Sequence, residues 1–260
     1  MSKHESEEQF PRMRREKEKV HRKQERSDGI GWDGQTLREQ FETLEEQTER
    51  TDHYAGLEEL ELKKEEPIKY EQMFSQLRGD LVNARETSKE VAATPIVEQE
   101  GELCYGLFTP EGDSIAVSTG IIVHIHTMSE AIKYMINHDY EESPGIEPGD
   151  IFVNNDVDVG DVHACDIMTL IPIFNDGEIV AWAGGVNHVI DTGAVGPGSM
   201  NVSQSSRFGD GAYYTARKIG EDLELFNSWQ NDYPDKTRTP DFLKLDERTR
   251  MTGCLMIRDA

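Results

Sequence analysis

The feature that most constrains the fold is a predicted β-hairpin centred on residues 175–178. Two apolar runs rich in β-branched residues, 167–174 and 179–186, flank the turn sequence Asn-Asp-Gly-Glu. Asp-Gly is typical of a two-residue hairpin turn, in which both central residues need positive φ. With Asp176 and Gly177 in the turn, a regular antiparallel ladder pairs Asp166 with Asn187 and Cys165 with His188.

The open end of this hairpin predicts a metal site. Directly opposed residues lie about 5 Å apart, so the ladder gathers His163, Asp166 and His188. Two imidazoles and one carboxylate suit Mn²⁺, Fe²⁺ or Zn²⁺, and they leave coordination positions for water or substrate. Residues 134–206 contain no Lys or Arg, so no ammonium competes for the acidic groups there. A bound cation would polarise an oxygen and stabilise the developing charge of an enolate.

Other polar residues are weaker candidates. Glu102 and Asp191 are predicted as carboxylates that transfer a proton or orient a ligand, and a solvated role is equally consistent with the sequence. His124 and His126 share one face of a predicted strand at 121–126, where packing or exposure is favoured over a role in lining a pocket. Cys165 is predicted to face the core, because side chains alternate along a strand.

Composition narrows the functional class. The chain of 260 residues carries a formal net charge of −24 and a pI near 4.6, which disfavours nucleic acid and anionic membranes as partners. The acidity favours adaptation to a salt-rich cytoplasm over a simply acidic mesophilic protein. No run approaches the roughly 18 apolar residues of a membrane span, and residues 1–10 lack the apolar region of a secretory signal. Three widely spaced cysteines fit a reducing cytoplasm.

The pattern along the chain predicts an α+β fold of antiparallel or mixed hairpins with flanking helices. A charged arm, helical or disordered, covers residues 1–30, a helical connector covers 31–66, and the metal-binding domain covers 67–260. Predicted helices cover 36–49, a segment from Pro67 that Pro95 closes, a segment capped by Ser129, and 240–257. Predicted strands cover 103–108, 114–117, 121–126 and 151–153, and residues from 193 to 239 are predicted as polar loop.

Several motifs resemble the hydantoinase B/oxoprolinase family. They are GDVHACD at 160–166, PIF at 172–174 and GVNHVID at 185–191. FTPEGDS at 108–114, STGIIVH at 118–124 and DERTR at 246–250 are more similar to the acetone carboxylase α-subunit branch of that family. Hydantoinase and oxoprolinase relatives tend towards Gly-Gly-Thr-His where this chain has Gly160-Asp161-Val162-His163. The resemblance runs from about Pro67 to the end of the sequence.

The resemblance implies a metal-bearing α-subunit of an ATP-dependent carboxylase, a ligase that forms carbon–carbon bonds. His163, Asp166 and His188 match its Mn²⁺ ligands, and Glu102 matches a carboxylate near the reaction route. A separate β-subunit would use ATP to activate acetone and bicarbonate, and a γ-subunit would complete the complex that forms acetoacetate. Family α-subunits are considerably longer, so this chain corresponds to their N-terminal part.

Three alternatives remain open. The first is the cyclic amide hydrolysis of sister enzymes, the ATP-dependent N-methylhydantoinases and 5-oxoprolinases. The second is an Fe²⁺ oxygenase that uses the same three ligands. The third is a fragment that associates with partner subunits without catalytic activity.

Overall fold

The predicted hairpin lies at the centre of a seven-stranded antiparallel sheet in the computed structural model, which describes residues 35–198 and 204–260. The strand order is β2-β1-β5-β4-β3-β6-β7. The strands are β1 (Leu103–Phe108), β2 (Ser114–Val117), β3 (Ile151–Asn154), β4 (Asp166–Asn175), β5 (Glu178–His188), β6 (Arg217–Glu221) and β7 (Glu224–Leu225).

Helices account for most of the remaining regular structure. They are α1 (Leu37–Thr51), α2 (Glu61–Glu65), α3 (Pro67–Val91), α4 (Pro95–Glu98), α5 (Val123–Asn137), α6 (Asn227–Asp232) and α7 (Pro240–Asp259). Thr36 and Glu39 cap the start of α1 reciprocally, and Pro67 occupies the first turn of α3. Within the described ranges, no helix has the length and apolar character that a membrane crossing requires. The combination of helices with an antiparallel sheet confirms the predicted α+β class.

Helices cover both faces of the sheet, because side chains alternate along each strand. Leu103, Tyr105 and Ile167 contribute to a core with α3 and α7. Cys104, Phe108 and Met168 point to the opposite face and pack with α5 and with Leu37 at the start of α1. Cys165 is fully buried in the first of these cores, as predicted. The sheet therefore forms the middle of three layers, and each face has its own core.

A β-bulge shifts the register of the central hairpin. Asp176 and Gly177 have φ of 52° and 92°, as the predicted turn requires, and Asn175 pairs with Glu178. Beyond the turn, Ile173 pairs with Ala181 while Phe174 pairs with Ile179, so Val180 is an extra residue in β5. The predicted pairing at the open end is therefore wrong by one residue.

The shifted register has a direct consequence for the candidate site. Asp166 pairs with His188 rather than with Asn187. Directly opposed residues project from the same face of a sheet, whereas a shift of one residue moves a side chain to the other face. Asp166 and His188 consequently share the face that α5 covers.

The predicted strand at 121–126 is also wrong. Helix α5 begins at Val123, and Ser129 lies inside it rather than at its cap. Met128, Ile132 and Met135 are fully buried at helical spacing against the sheet. This burial outweighs the strand preference of the β-branched residues that precede them.

Smaller differences concern chain segments between the main elements. Helix α3 ends at Val91, and Pro95 begins α4 instead of closing α3. Residues 217–232, predicted as polar loop, contain β6, β7 and α6. Within the predicted connector the structure places α1 and α2, and the arm at 1–30 lies outside the described residues.

Candidate metal centre

The structure brings His163, Asp166 and His188 together at the open end of the hairpin. Nδ1 of His188 lies 3.0 Å from Oδ1 of Asp166, and Nε2 of His163 lies 3.5 Å from Oδ2 of the same carboxylate. One donor atom from each side chain lies within 4.8 Å of the others. Donors that share one cation at about 2.1 Å lie about 3.0–4.2 Å apart, so a small inward movement would complete a site.

Local backbone contacts hold this arrangement. The amide of Asp166 donates to the carbonyl of His163 at 3.0 Å, which forms a tight turn that directs both side chains to one place. The buried side chain of Asn155 donates to the carbonyl of Ala164 at 2.7 Å and fixes the same turn. Asn155 belongs to the Asn-Asn-Asp sequence that precedes the site, but its side-chain role is not apparent from sequence spacing.

The site is largely buried at the edge of the sheet. The side chains of Asp166 and His188 are 4% and 6% exposed, and that of His163 is 24% exposed. The rings of the two histidines lie at an interplanar angle of 84°, with centroids 4.8 Å apart. A cation held here would therefore be shielded from bulk solvent and open on the His163 side.

The surrounding charges favour a cation. Burial and the neighbouring Asp166 raise the pKa of Asp161 to about 9. One carboxyl oxygen of Asp161 is buried without a hydrogen-bond partner among the described residues, and so is Nδ1 of His163. A positive ion beside Asp166 would offset the repulsion between the two carboxyl groups. The donor chemistry and the charge environment thus fit a divalent metal.

His124 lies beside the three predicted ligands. It projects from the first turn of α5, its side chain is 2% exposed, and its Nε2 lies 4.0 Å from Oδ1 of Asp166. Burial lowers the pKa of His124, which keeps the ring neutral at pH 7. The sequence favoured a packed or exposed position for His124 on a predicted strand at 121–126. It therefore did not predict that the ring lies beside Asp166. His126, on the same helix, is exposed.

The two predicted carboxylates lie in different surroundings. Glu102 is half-buried, and its Oε2 lies 3.6 Å from Nδ1 of His188 at the rim of the site. Asp191 is buried and engages Arg238, whose backbone amide and guanidinium approach it at 2.6 and 2.7 Å. These contacts favour a role for Asp191 in holding the loop that follows β5. Its participation in proton transfer stays a prediction.

Arg250 of α7 supports the hairpin from the opposite face of the sheet. Its buried guanidinium donates to Oγ1 of Thr169 at 2.7 Å and to Oδ1 of Asn187 at 2.6 Å. Thr169 belongs to β4, and Asn187 belongs to β5 immediately before His188. Arg250 therefore ties the two strands together behind the candidate metal centre.

The sequence profile of the hydantoinase B/oxoprolinase family matches residues 66–260. The chain belongs to this family. It is 54% identical over 230 residues to the acetone carboxylase alpha subunit of Xanthobacter autotrophicus, a match that covers 88% of this chain and 30% of that protein. It is 30% identical over 159 residues to the acetophenone carboxylase delta subunit of Aromatoleum aromaticum, covering 61% of this chain and 23% of that protein.

Solved structures show the same relationship. A nucleotide-free structure of acetone carboxylase matches with a TM-score of 0.86 and 53% identity, over 88% of this chain and 30% of that chain. An ATP-dependent caprolactamase from Pseudomonas jessenii matches with a TM-score of 0.60 and 18% identity, over 72% of this chain and 32% of that chain, and shares the fold. This chain spans less than a third of the length of these relatives.

Proposed function

We propose that this chain acts as the metal-binding α-subunit, or the N-terminal part of one, in an ATP-dependent ketone carboxylase that makes acetoacetate from acetone and bicarbonate. The observation that carries the proposal is the convergence of His163, Asp166 and His188 at the open end of the β4–β5 hairpin. The 54% identity to an acetone carboxylase alpha subunit supports the choice of reaction. Relatives named 5-oxoprolinase are more distant, for example 26% identical in Arabidopsis thaliana.

The three side chains would hold Mn²⁺, and Fe²⁺ or Zn²⁺ fits the same donors. When bound, the cation supplies Lewis acidity that stabilises negative charge on a substrate oxygen. Asp166 offers both carboxyl oxygens to the site, and its contact with Nδ1 of His188 orients that imidazole. Burial of Asp166 and His188 keeps bulk water from the reacting groups.

Glu102 is the proposed base. Its half-exposed carboxylate lies at the rim, within reach of both the site and the solvent. There it would take the proton from the methyl carbon beside the ketone carbonyl. The resulting enolate carbon would form the new bond to CO₂, which phosphorylated bicarbonate would release together with phosphate. ATP would be used by a partner β-subunit to activate acetone and bicarbonate, and a γ-subunit would complete the assembly.

Metal analysis of the purified chain tests the centre. We expect about one equivalent of Mn²⁺ after loading and dialysis, and we expect His163→Ala to lose it, because a site with three protein ligands binds weakly once one is removed. His126→Ala is the matched control, because His126 is an exposed histidine on α5. A wild-type chain that retains no divalent metal would contradict the proposal and favour an inert fragment.

Reconstitution with partner subunits tests the reaction. We expect acetone- and ATP-dependent incorporation of labelled bicarbonate into acetoacetate. Ring opening of a hydantoin or of 5-oxoproline without carboxylation would instead assign the chain to the cyclic amide hydrolases. Oxygen uptake that depends on Fe²⁺ would assign it to the oxygenases.

A further inference from the structure

His124 is a buried histidine whose ring lacks a hydrogen-bond partner among the described residues. Its Nδ1 is buried and has no hydrogen-bond partner in the described part of the chain, and its Nε2 lies 4.0 Å from Oδ1 of Asp166. That distance is too long for a hydrogen bond. A buried polar group without a partner is costly, so a side chain held in this way points to a ligand that supplies the missing contact.

His124 lies on the buried stripe of α5, one turn before Met128, so the helix directs its side chain inwards. Its neighbours Ile122 and Val123 are 75% and 47% exposed, so this end of the stripe lies near the surface. The imidazole turns towards the face of the sheet that carries Asp166 and His188, and its Nε2 lies 4.0 Å from the carboxylate of Asp166. A histidine that served only as core filling would not need to direct a nitrogen at this carboxylate.

The distances also separate His124 from the three predicted ligands. Within the described part of the chain, the donor atoms that lie within 4.8 Å of one another come from His163, Asp166 and His188 alone. His124 approaches the carboxylate of this group from the side of α5. Two atoms 4.0 Å apart can both lie about 3 Å from a third, so an oxygen that accepts from Nε2 can lie beside the carboxylate of Asp166.

We propose that Nε2 of His124 donates a hydrogen bond to an oxygen of the small keto-acid or ketone that binds beside His163, Asp166 and His188. This inference rests on the proposed function and adds a catalytic residue to it. The neutral ring carries one N–H, and with the proton on Nε2 that group stabilises negative charge on the substrate oxygen without proton transfer. The helix thus supplies a contact to the substrate, while the hairpin supplies the contacts to the cation.

Acetoacetate binding to the Mn²⁺-loaded chain tests this role, with water-proton relaxation as the readout. We expect His124→Phe to retain stoichiometric Mn²⁺ and to bind acetoacetate about five- to tenfold more weakly, as the loss of one hydrogen bond predicts. His124→Gln keeps an N–H donor and is expected to recover most of the affinity. His126→Phe is the matched control and is expected to bind as the wild type does.

The other possible outcomes of the acetoacetate-binding experiment would each contradict a specific part of the reasoning. Loss of Mn²⁺ in a folded His124→Phe variant would overturn the proposal in favour of a fourth metal ligand. Unchanged acetoacetate affinity would overturn it in favour of a packing role. A wild-type chain that binds Mn²⁺ but not acetoacetate would also overturn it, whereas a wild-type chain that binds no Mn²⁺ would contradict the proposed function itself.

A measurement without substitution guards against a variant that fails to fold. In the Zn²⁺-loaded wild-type chain with ¹⁵N-labelled histidine, acetoacetate is expected to shift the Nε2 signal of His124. The signal of the exposed His126 is expected to stay in place. An unmoved His124 signal under saturating acetoacetate would overturn the proposal.

Discussion

Replacing Arg250 with methionine tests whether the metal centre depends on the opposite face of the sheet. Arg250→Met keeps an unbranched side chain in the core and removes the guanidinium that ties Thr169 to Asn187. It also leaves Glu247, 3.8 Å from Nη2, without its cationic neighbour in a buried position. The substitution therefore removes two hydrogen bonds from a charged donor and leaves Glu247 with the hydrogen bond from Nε1 of Trp229 but without the guanidinium.

These contacts set the expected magnitude. A buried hydrogen bond to a charged group contributes about 1.5–3 kcal/mol, and breaking a buried charged network by removing one member costs about 3–5 kcal/mol. We expect a loss of about 3–5 kcal/mol in the free energy of unfolding. For a chain of this size that corresponds to a decrease in Tm of about 10 °C. Mn²⁺ affinity should also fall, because Asn187 directly precedes His188.

Urea unfolding followed by circular dichroism, with and without Mn²⁺, measures both effects. Arg248→Met is the matched control, because Arg248 lies on the exposed side of the same helix, and its effect is expected to stay within about 0.5 kcal/mol. If Arg250→Met destabilised the chain by less than about 1 kcal/mol, the guanidinium would not hold the strands together. Unchanged Mn²⁺ affinity in a strongly destabilised variant would show that the support does not reach the metal centre.

Two further predictions concern packing and pH. Gly253→Ala in α7 would place Cβ 2.2 Å from the ring of Tyr105 and is expected to lower the free energy of unfolding by about 1–3 kcal/mol or more. Gly79→Ala in α3 meets open space and is expected to raise the free energy of unfolding by about 0.5–1 kcal/mol. Thermal unfolding that ranked the two variants the other way would contradict the packing. Burial raises the pKa of Glu141, which accepts a hydrogen bond from the amide of Leu37, from 4.5 to about 7. The folded state therefore binds a proton more tightly than the unfolded state, and this contribution to stability is present below pH 4.5 and is lost as the pH rises to about 7. Glu141→Gln is expected to flatten the decline in stability over that interval, and an unchanged pH profile would argue against the raised pKa.

The sequence predicted the structural features that depend on residues close together in the chain. Asp176 and Gly177 specify the central turn because both adopt positive φ, and Pro67 specifies the first turn of α3. The turn and the positions of two histidines predicted which three residues meet at the open end of the hairpin. The predicted ladder nevertheless put Asp166 and His188 on opposite faces, and the bulge at Val180 brings them to one face. The charged arm and the adaptation to a salt-rich cytoplasm stay predictions.

Features that depend on packing were missed. Val180 is an apolar β-branched residue next to Ile179, so its residue type does not mark it as the bulge. Helix α5 begins at Val123 because the apolar residues that follow at helical spacing are buried against the sheet. Local residue preferences do not reveal this packing. The approach of His124 to Asp166 depends on both the helix and its docking, and for this reason only the structure places it at the site.

The bulge makes the centre sensitive to chain length as well as to residue type. If β5 paired with β4 at its present length without the bulge, Asn187 would lie beside Asp166 and His188 would project towards α7. Deleting Val180 would remove the bulge and still leave His188 opposite Asp166, because the residues beyond it already pair as if Val180 were absent. A strand of this length therefore brings the two candidate donors to one face only if one of its residues stands outside the ladder.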